Sequence, residues 1–242
     1  KEHALSDVDP KMSTIPLSAF CFMTGYIDAV SYTVCSVWCA FQTGNTLQLA
    51  IGLSRAFTPS NIRPFGEPER QALCALLAFL LGSFIGRIGD RIGPKRRVWL
   101  VLGTLFQGLL SLFACFTAHA SRESSFAAER RVPSWITPLG FTSLAFISAS
   151  VGLQSAMAVR LGTQFSNSVV LTTVWVQLVT EPTWFKLDFL PRRDHKILGI
   201  LLLFIGGFLG RVLVNTVGVS SALAIASGFR VVIALMWYLV PA

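Results

Sequence analysis

Two hexapeptides 124 positions apart read almost identically: Gly82-Ser83-Phe84-Ile85-Gly86-Arg87 and Gly206-Gly207-Phe208-Leu209-Gly210-Arg211. The apolar runs ahead of them also match, Leu76–Leu81 against Ile200–Ile205. A repeat at about half the length of a 242-residue chain predicts a duplicated unit laid end to end. In a membrane protein, weak internal symmetry of this kind points to a transporter-like architecture with a site between the halves. The predicted organisation is a polar N-terminal segment (1–14), a first membrane repeat (15–118), a polar connecting loop (119–135) and a second membrane repeat (136–242).

The membrane setting follows from the charge that is missing. Only 13% of residues are charged and 53% are hydrophobic, with a mean hydropathy of +0.62; a water-soluble domain of this length exposes more charge. Uncharged runs such as Val98–Ala118 and Ile136–Val159 approach or exceed the roughly 20 residues that cross a bilayer as a helix. They lack the alternation of a lipid-facing barrel strand. The first run, from about Ile15, is too long for a signal core and reads as a retained span. The net charge of +8 sits mostly in short loops between apolar runs, which is a topology signal rather than a nucleic-acid footprint.

Eight apolar segments are predicted, at about 15–37, 40–56, 71–89, 97–118, 136–159, 166–182, 197–217 and 219–240. The second and sixth are short and open on small polar residues, Phe41-Gln42-Thr43-Gly44-Asn45-Thr46 and Phe165-Ser166-Asn167-Ser168. Paired short segments of this kind, in corresponding places, are the usual sign of broken or re-entrant helices at a transport site. If they do not cross, each half has three spans and the halves are inverted; if they do, each half has four and the halves run parallel. With a cytoplasmic N-terminus, either count leaves twelve Lys/Arg inside and seven outside, Arg230 set aside. The eight-span version puts the dense Arg87–Arg97 cluster outside, against the usual preference for cytoplasmic positive loops. The expected fold is therefore an all-α integral membrane protein of about six transmembrane helices plus two short discontinuous or re-entrant helices, in two inverted repeats.

Two charges lie alone inside apolar segments: Asp28 in the first and Arg230 in the last. Each costs several kcal/mol at that depth unless paired or hydrated. The expectation is that both face the bundle interior, as an ion pair or around a shared solute cavity in which Asp28 could couple protons; a structural pin is the competing reading. Thr43, Gly44 and Asn45 offer an unwound turn and side-chain hydrogen bonds, either to a ligand or as a helix cap. Gln154, with Ser155, and Thr172, with Thr173, are their second-half counterparts, and no carboxylate there matches Asp28. Gly82, Gly86, Gly206 and Gly210 are read as helix-packing positions, within the chain or between copies of it. Arg87 and Arg211, at segment ends, are expected to snorkel.

Catalysis is not expected. The three histidines fall in polar stretches, and no nucleophile–base pair, carboxylate pair or metal-ligand spacing is evident. The five cysteines lie within or beside apolar segments, and Cys35 and Cys39, one helical turn apart, read as small buried hydrophobes. No metal or other cofactor is anticipated. The expected partners are the bilayer, a small-molecule solute and a second copy of the chain, with the plasma membrane as the location.

The loop Gly86-Arg87-Ile88-Gly89-Asp90-Arg91-Ile92-Gly93-Pro94-Lys95-Arg96-Arg97 resembles locally the short loop motif of the major facilitator superfamily, although the segment count does not fit that family. Over nearly its whole length the chain resembles the YoaK-like membrane proteins, domain of unknown function 1275. That resemblance rests on Gly25-Tyr26-Ile27-Asp28-Ala29-Val30-Ser31-Tyr32, Thr43-Gly44-Asn45-Thr46, Gly152-Leu153-Gln154-Ser155-Ala156, Arg160-Leu161-Gly162 and Leu171-Thr172-Thr173. Where that family tends to carry Thr-Gly, this chain has Thr172-Thr173. The resemblance implies a multi-pass membrane protein of about six spans and no established activity.

Overall fold

The computed structural model describes residues 5–57, 65–123, 134–163, 165, 172–182, 184 and 190–241. Among these residues eight α-helices follow in order: α1 (Thr14–Cys35), α2 (Gln42–Ser54), α3 (Glu67–Ile85), α4 (Ile88–Ile92), α5 (Arg97–Ser121), α6 (Pro138–Leu161), α7 (Thr172–Val179) and α8 (Pro191–Leu239). Local chemistry sets several of their ends. Pro68 sits in the first turn of α3, and Glu69 accepts from the Gly66 N–H at 2.8 Å. Thr137 caps α6 through Gly140 N, with Pro138 in the first turn, and Gly162 closes that helix in the left-handed region at φ 64°. The segment opening Ser166-Asn167-Ser168 lies outside the described residues.

Among the described residues, four stretches are long and apolar enough to cross a membrane, Glu67–Ile92, Arg97–Ser121, Pro138–Leu161 and Arg193–Leu239; α1, expected from the sequence to be a span, is not one of them. The chain is an integral membrane protein of helical architecture. The last stretch, 47 residues, would be ~70 Å long if straight, more than twice a ~30 Å hydrocarbon layer. It is not straight. Gly218 has φ 83° and ψ 167°, outside the helical region, and the chain reverses there. Tyr26 meets Gly210 on one side of the break and donates to the Ala222 carbonyl at 2.8 Å on the other. Phe22 meets Gly206 before the break and stacks edge-on with Phe229 after it. The arms 191–217 and 219–239 therefore lie antiparallel, both against α1.

Side-chain contacts fix the directions of the other helices. Gln154 of α6 reaches Phe20 and Thr24 of α1, while Ser134, ahead of α6, bonds Val34 near the end of α1, so α1 and α6 are antiparallel. Gln71 of α3 bonds the Ser134 and Trp135 carbonyls, and Gly82 and Gly86 meet Ala149 and Ala156, so α3 and α6 are parallel. Gly199, Gly206 and Gly210 meet Cys21, Phe22 and Tyr26, so the first arm of α8 is parallel to α1. Ser143 and Ser150 donate to Ala114 and Gln107, setting α5 antiparallel to α6. Ser227 donates to the Gly108 carbonyl and Arg97 to the Val240 carbonyl, setting α5 antiparallel to the second arm of α8.

Glycine permits the two parallel crossings. A methyl group on Gly25 would fall on the Leu203 carbonyl, and one on Gly206 on the Phe22 carbonyl. At the other crossing, a methyl on Gly152 would fall on the Phe79 carbonyl and one on Gly82 on the Ala149 carbonyl. Backbones approach this closely only where no Cβ intervenes. At one end of the bundle the N-terminal strand of chain is sewn to the rest: Val8 N donates to Lys95 O, Asp9 N to Pro241 O and Arg97 N to Ser6 O.

Candidate functional site

Arg230 is carried on the second arm of α8 and has no exposed surface. Its stem passes the bare backbone of Gly108 on α5, where an added Cβ would stand 3.1 Å from the Arg230 Cβ. Nη1 donates to Gln154 Oε1 at 2.6 Å. An arginine only donates, so it fixes which way the Gln154 amide points. Gln154 Nε2 then donates to the Phe20 carbonyl (3.0 Å) and to Thr24 Oγ1 (2.9 Å), while the Thr24 hydroxyl donates to that same carbonyl at 3.0 Å. The guanidinium lies 5.8 Å from the centre of the Phe20 ring, and Phe20 meets Trp237 edge-on at 5.9 Å. Among the described residues, neither Nε nor Nη2 of Arg230 has a hydrogen-bond partner. The cluster thus joins α1, α6 and α8 around a guanidinium whose charge is met, among the described residues, by neutral dipoles and a ring face. Burying a charge so costs several kcal/mol.

Asp28 is not part of this cluster, and the expected Asp28–Arg230 pair does not form. Arg230 meets α1 at Phe20 and through Gln154 at Thr24, one to two turns before Asp28, or about 6–12 Å along the helix axis. The Asp28 carboxylate has a nearer claimant: its Oδ1 accepts from the Ala40 N–H at 2.8 Å. After α1 ends at Ser36, in the left-handed region at φ 56°, the chain doubles back until residue 40 stands level with residue 28. Asp28 thereby satisfies the backbone of a non-helical stretch folded back along α1. Cys39, in that stretch, accepts from the Ser148 hydroxyl of α6 at 3.3 Å.

Thr43, Gly44 and Asn45 divide by role. Asn45 is buried, and its Nδ2 donates to the Trp38 carbonyl (2.7 Å) and to Gln42 Oε1 (2.9 Å), so it pins the doubled-back stretch. Gly44 makes room for the Phe41 ring. Thr43 is exposed on α2. None reaches Arg230. Thr172 and Thr173, at the start of α7, are exposed too, with Val174 and Leu178 forming the buried side of that helix. The structure brings together Arg230 and Gln154 from the expected set and leaves Thr172 apart. Thr24 is the residue that sequence reasoning missed. Its signal was its place in the register Phe20, Thr24, Asp28, one helical face at four-residue steps.

The packing glycines Gly82, Gly86, Gly206 and Gly210 all meet helices of this same chain. Arg87 and Arg211 are exposed, with Arg87 lying over the Phe84 ring. In the basic loop, Arg160 from the end of α6 grips both carboxylate oxygens of Asp90 through Nε and Nη2. Arg97, counted from sequence as one more topology charge, is buried and donates to Ser6 and to the Val240 carbonyl. A groove of about 500 Å³ between α2 and the start of α3 includes Gly44, Gln48, Arg55 and Glu69, and Arg55 pairs with Glu69 across it at 3.0 Å. Among the described residues, no group of three or more His, Cys, Asp and Glu is placed to hold a metal ion, and the five cysteines are unpaired with one another.

A family model described as "Protein of unknown function (DUF1275)" matches residues 17–236. No curated protein and no solved structure matches the chain.

Proposed function

The chain belongs to the DUF1275 family, and we propose that it is a small-solute transporter or channel with a polar site between two inverted halves. Several observations support six crossings. Helices α1, α3, α5 and α6 and the two arms of α8 alternate in direction, with α2 and α7 left beside them. In this reading the N-terminal segment, the Arg87–Arg97 loop and the 160–196 connection share one side. The bonds from Val8 to Lys95 and from Arg160 to Asp90 are consistent with that. That side then carries the twelve cations of the sequence count, as expected of the cytoplasmic face.

Inverted repeats are supported by the antiparallel run of α1 and α6, the first long helices of the two halves. They are supported again by the matched crossings: Gly25 meets Leu203 and Gly152 meets Phe79, with Gly152 lying 127 residues after Gly25 and Leu203 lying 124 after Phe79, the second being the spacing of the repeated hexapeptides. At the rims, Arg55 after α2 pairs with Glu69 of α3, and Glu181 after α7 stands 3.5 Å from Lys196 of α8 with the charges exchanged.

The observation that carries the functional reading is Arg230 itself: a guanidinium buried among helices from both halves, bonded to Gln154 and, among the described residues, to no carboxylate. Intramembrane charges held this way mark solute pathways by default. The break at Gly218 gives the arm that carries Arg230 a pivot. A non-catalytic membrane scaffold is the second reading, favoured by the complete burial of Arg230 and Gln154 and the near-complete burial of Thr24; neither reading involves catalysis.

Cysteine accessibility separates them. In a background lacking the five native cysteines, Thr24→Cys, Asp28→Cys and Asn45→Cys would be challenged with membrane-impermeant thiol reagents from each side. Transport predicts labelling of positions 24 and 28 from at least one side. Failure of both to label from either side, in protein that elutes as a folded species, overturns transport in favour of the scaffold.

A further inference from the structure

We propose that the solute is a carboxylate, gripped side-on by Nε and Nη2 of Arg230; this deepens the transport reading and rests on it. Nε–H and the neighbouring Nη2–H form one edge of the guanidinium, two parallel donors spaced to meet the two oxygens of a carboxylate. The protein uses that same edge elsewhere: Arg160 holds Asp90 with Nε on Oδ1 and Nη2 on Oδ2, the latter at 2.7 Å. At Arg230 the same two atoms are buried and make no hydrogen bond. The remaining nitrogen, Nη1, is tied to Gln154, whose own amide is tied to α1. The guanidinium plane is therefore set before any ligand arrives, and preorganisation of this kind lowers the cost of binding.

Among the described residues, no carboxylate serves the edge. The five ion pairs among the described residues do not include Arg230, and Asp28, the acid of the neighbouring helix, is engaged by the Ala40 N–H. A cationic solute would be repelled by the guanidinium, and a neutral one would leave its buried charge uncompensated. A tetrahedral phosphate has oxygens beyond the two this edge serves, whereas the adjoining surfaces, the Phe20 ring and the bare backbone of Gly108, supply no donor for them. Those surfaces suit the hydrocarbon part of an organic acid.

The test uses the full chain in lipid nanodiscs, followed by thermal unfolding. Sodium acetate, succinate and benzoate are each compared with the matching neutral amide, with sodium phosphate, and with sodium chloride at equal ionic strength. A ligand that binds only the folded state raises the melting temperature along a saturable curve. The expected result is such a rise with at least one carboxylate and not with its amide. It should be absent in Arg230→Met and weakened at least tenfold in apparent affinity in Arg230→Lys, which keeps a charge and loses the paired edge. Size-exclusion profiles confirm that both variants are folded. The proposal is overturned if no carboxylate acts, if phosphate alone acts, if an amide acts equally, or if the carboxylate shift survives in Arg230→Met. Labelling at positions 24 and 28 without any carboxylate response overturns the solute class and leaves transport standing. An Arg230-dependent response without labelling keeps the site and overturns transport.

Discussion

The crossing of α1 with α8 and the crossing of α3 with α6 are built alike in backbone and differently in polarity. In each, two helices run parallel with glycines set against carbonyls: Gly25 and Gly206 at the first, Gly152 and Gly82 at the second. At the α3–α6 crossing the polar content is slight, a Ser83 hydroxyl donating to the Gly152 carbonyl at 3.1 Å. Around the α1–α8 crossing stand Thr24, Asp28 and Arg230, with Gln154 reaching over from α6. Helix approach is thus one task, solved the same way twice, while charge has been committed to one side only. In a membrane the helices gain little from the hydrophobic effect against one another, so close packing at the glycine contacts and hydrogen bonds between helices carry assembly.

The strongest way to break that comparison is to fill the glycines. Gly25→Val and Gly152→Val each place a branched side chain on a carbonyl, a clash with backbone that no rotamer relieves. Overpacking of well-packed cores typically costs 1–3 kcal/mol, and backbone contact puts these sites at or beyond the upper end. Both variants should lose most of their monodisperse fraction in detergent size-exclusion. If one crossing tolerates valine while the other does not, the two are not equivalent in assembly.

Asp28 ranks next. Asp28→Leu leaves the Ala40 N–H without its acceptor in a stretch folded against α1, and an orphaned buried donor costs roughly 1–3 kcal/mol. Asp28→Asn keeps an acceptor oxygen and should lose much less. Thermal unfolding of the two variants measures the difference. If Arg230→Met shifts the stability of Asp28→Leu and of the parent by the same amount, coupling between the two charges is nil, as their separate partners require; a coupling above roughly 0.5 kcal/mol would restore the ion pair.

Arg230→Met also sharpens the comparison by itself. Replacing a buried charge with an apolar side chain of similar size is often neutral or stabilising, by roughly 1–4 kcal/mol in measured buried ion pairs. Among the described residues no acid is orphaned here; the Gln154 oxygen loses its donor. The expected melting temperature is equal to the parent's or higher, with carboxylate binding lost. A marked fall in stability would make Arg230 a pin rather than a solute ligand.

How much of this was legible in the sequence depends on what each residue needs. The packing glycines were readable because a spacing of four places two of them on one helix face whatever the neighbour is. Arg230 and Asp28 were readable because charge inside an apolar run stands out. Their partners were not. Two lone opposite charges invite pairing, but the needs of Asp28 are met by a backbone N–H twelve residues on, and nothing in the letters of Ser36–Phe41 says that this stretch doubles back. Thr24 is small and neutral, so only the amide of Gln154 arriving from α6 reveals its use. Arg97 looked like its neighbours in a basic loop, yet it is the one whose guanidinium is enclosed between the two chain ends.

The smallest expected effect falls on the short helices, where the sequence suggested symmetric ligands. Thr43 and Thr172 occupy comparable places at the starts of α2 and α7, and both are exposed. Neither makes contact with Arg230 or Gln154. Surface substitutions of this kind usually stay within ±0.5 kcal/mol, so Thr43→Ala and Thr172→Ala should melt with the parent and keep its carboxylate response. A lost response in Thr172→Ala at unchanged stability would mean that α7 closes over the Arg230 site in some other conformation. The site would then be shared by both halves of the molecule, and the charge asymmetry between the two crossings would describe only one of its states.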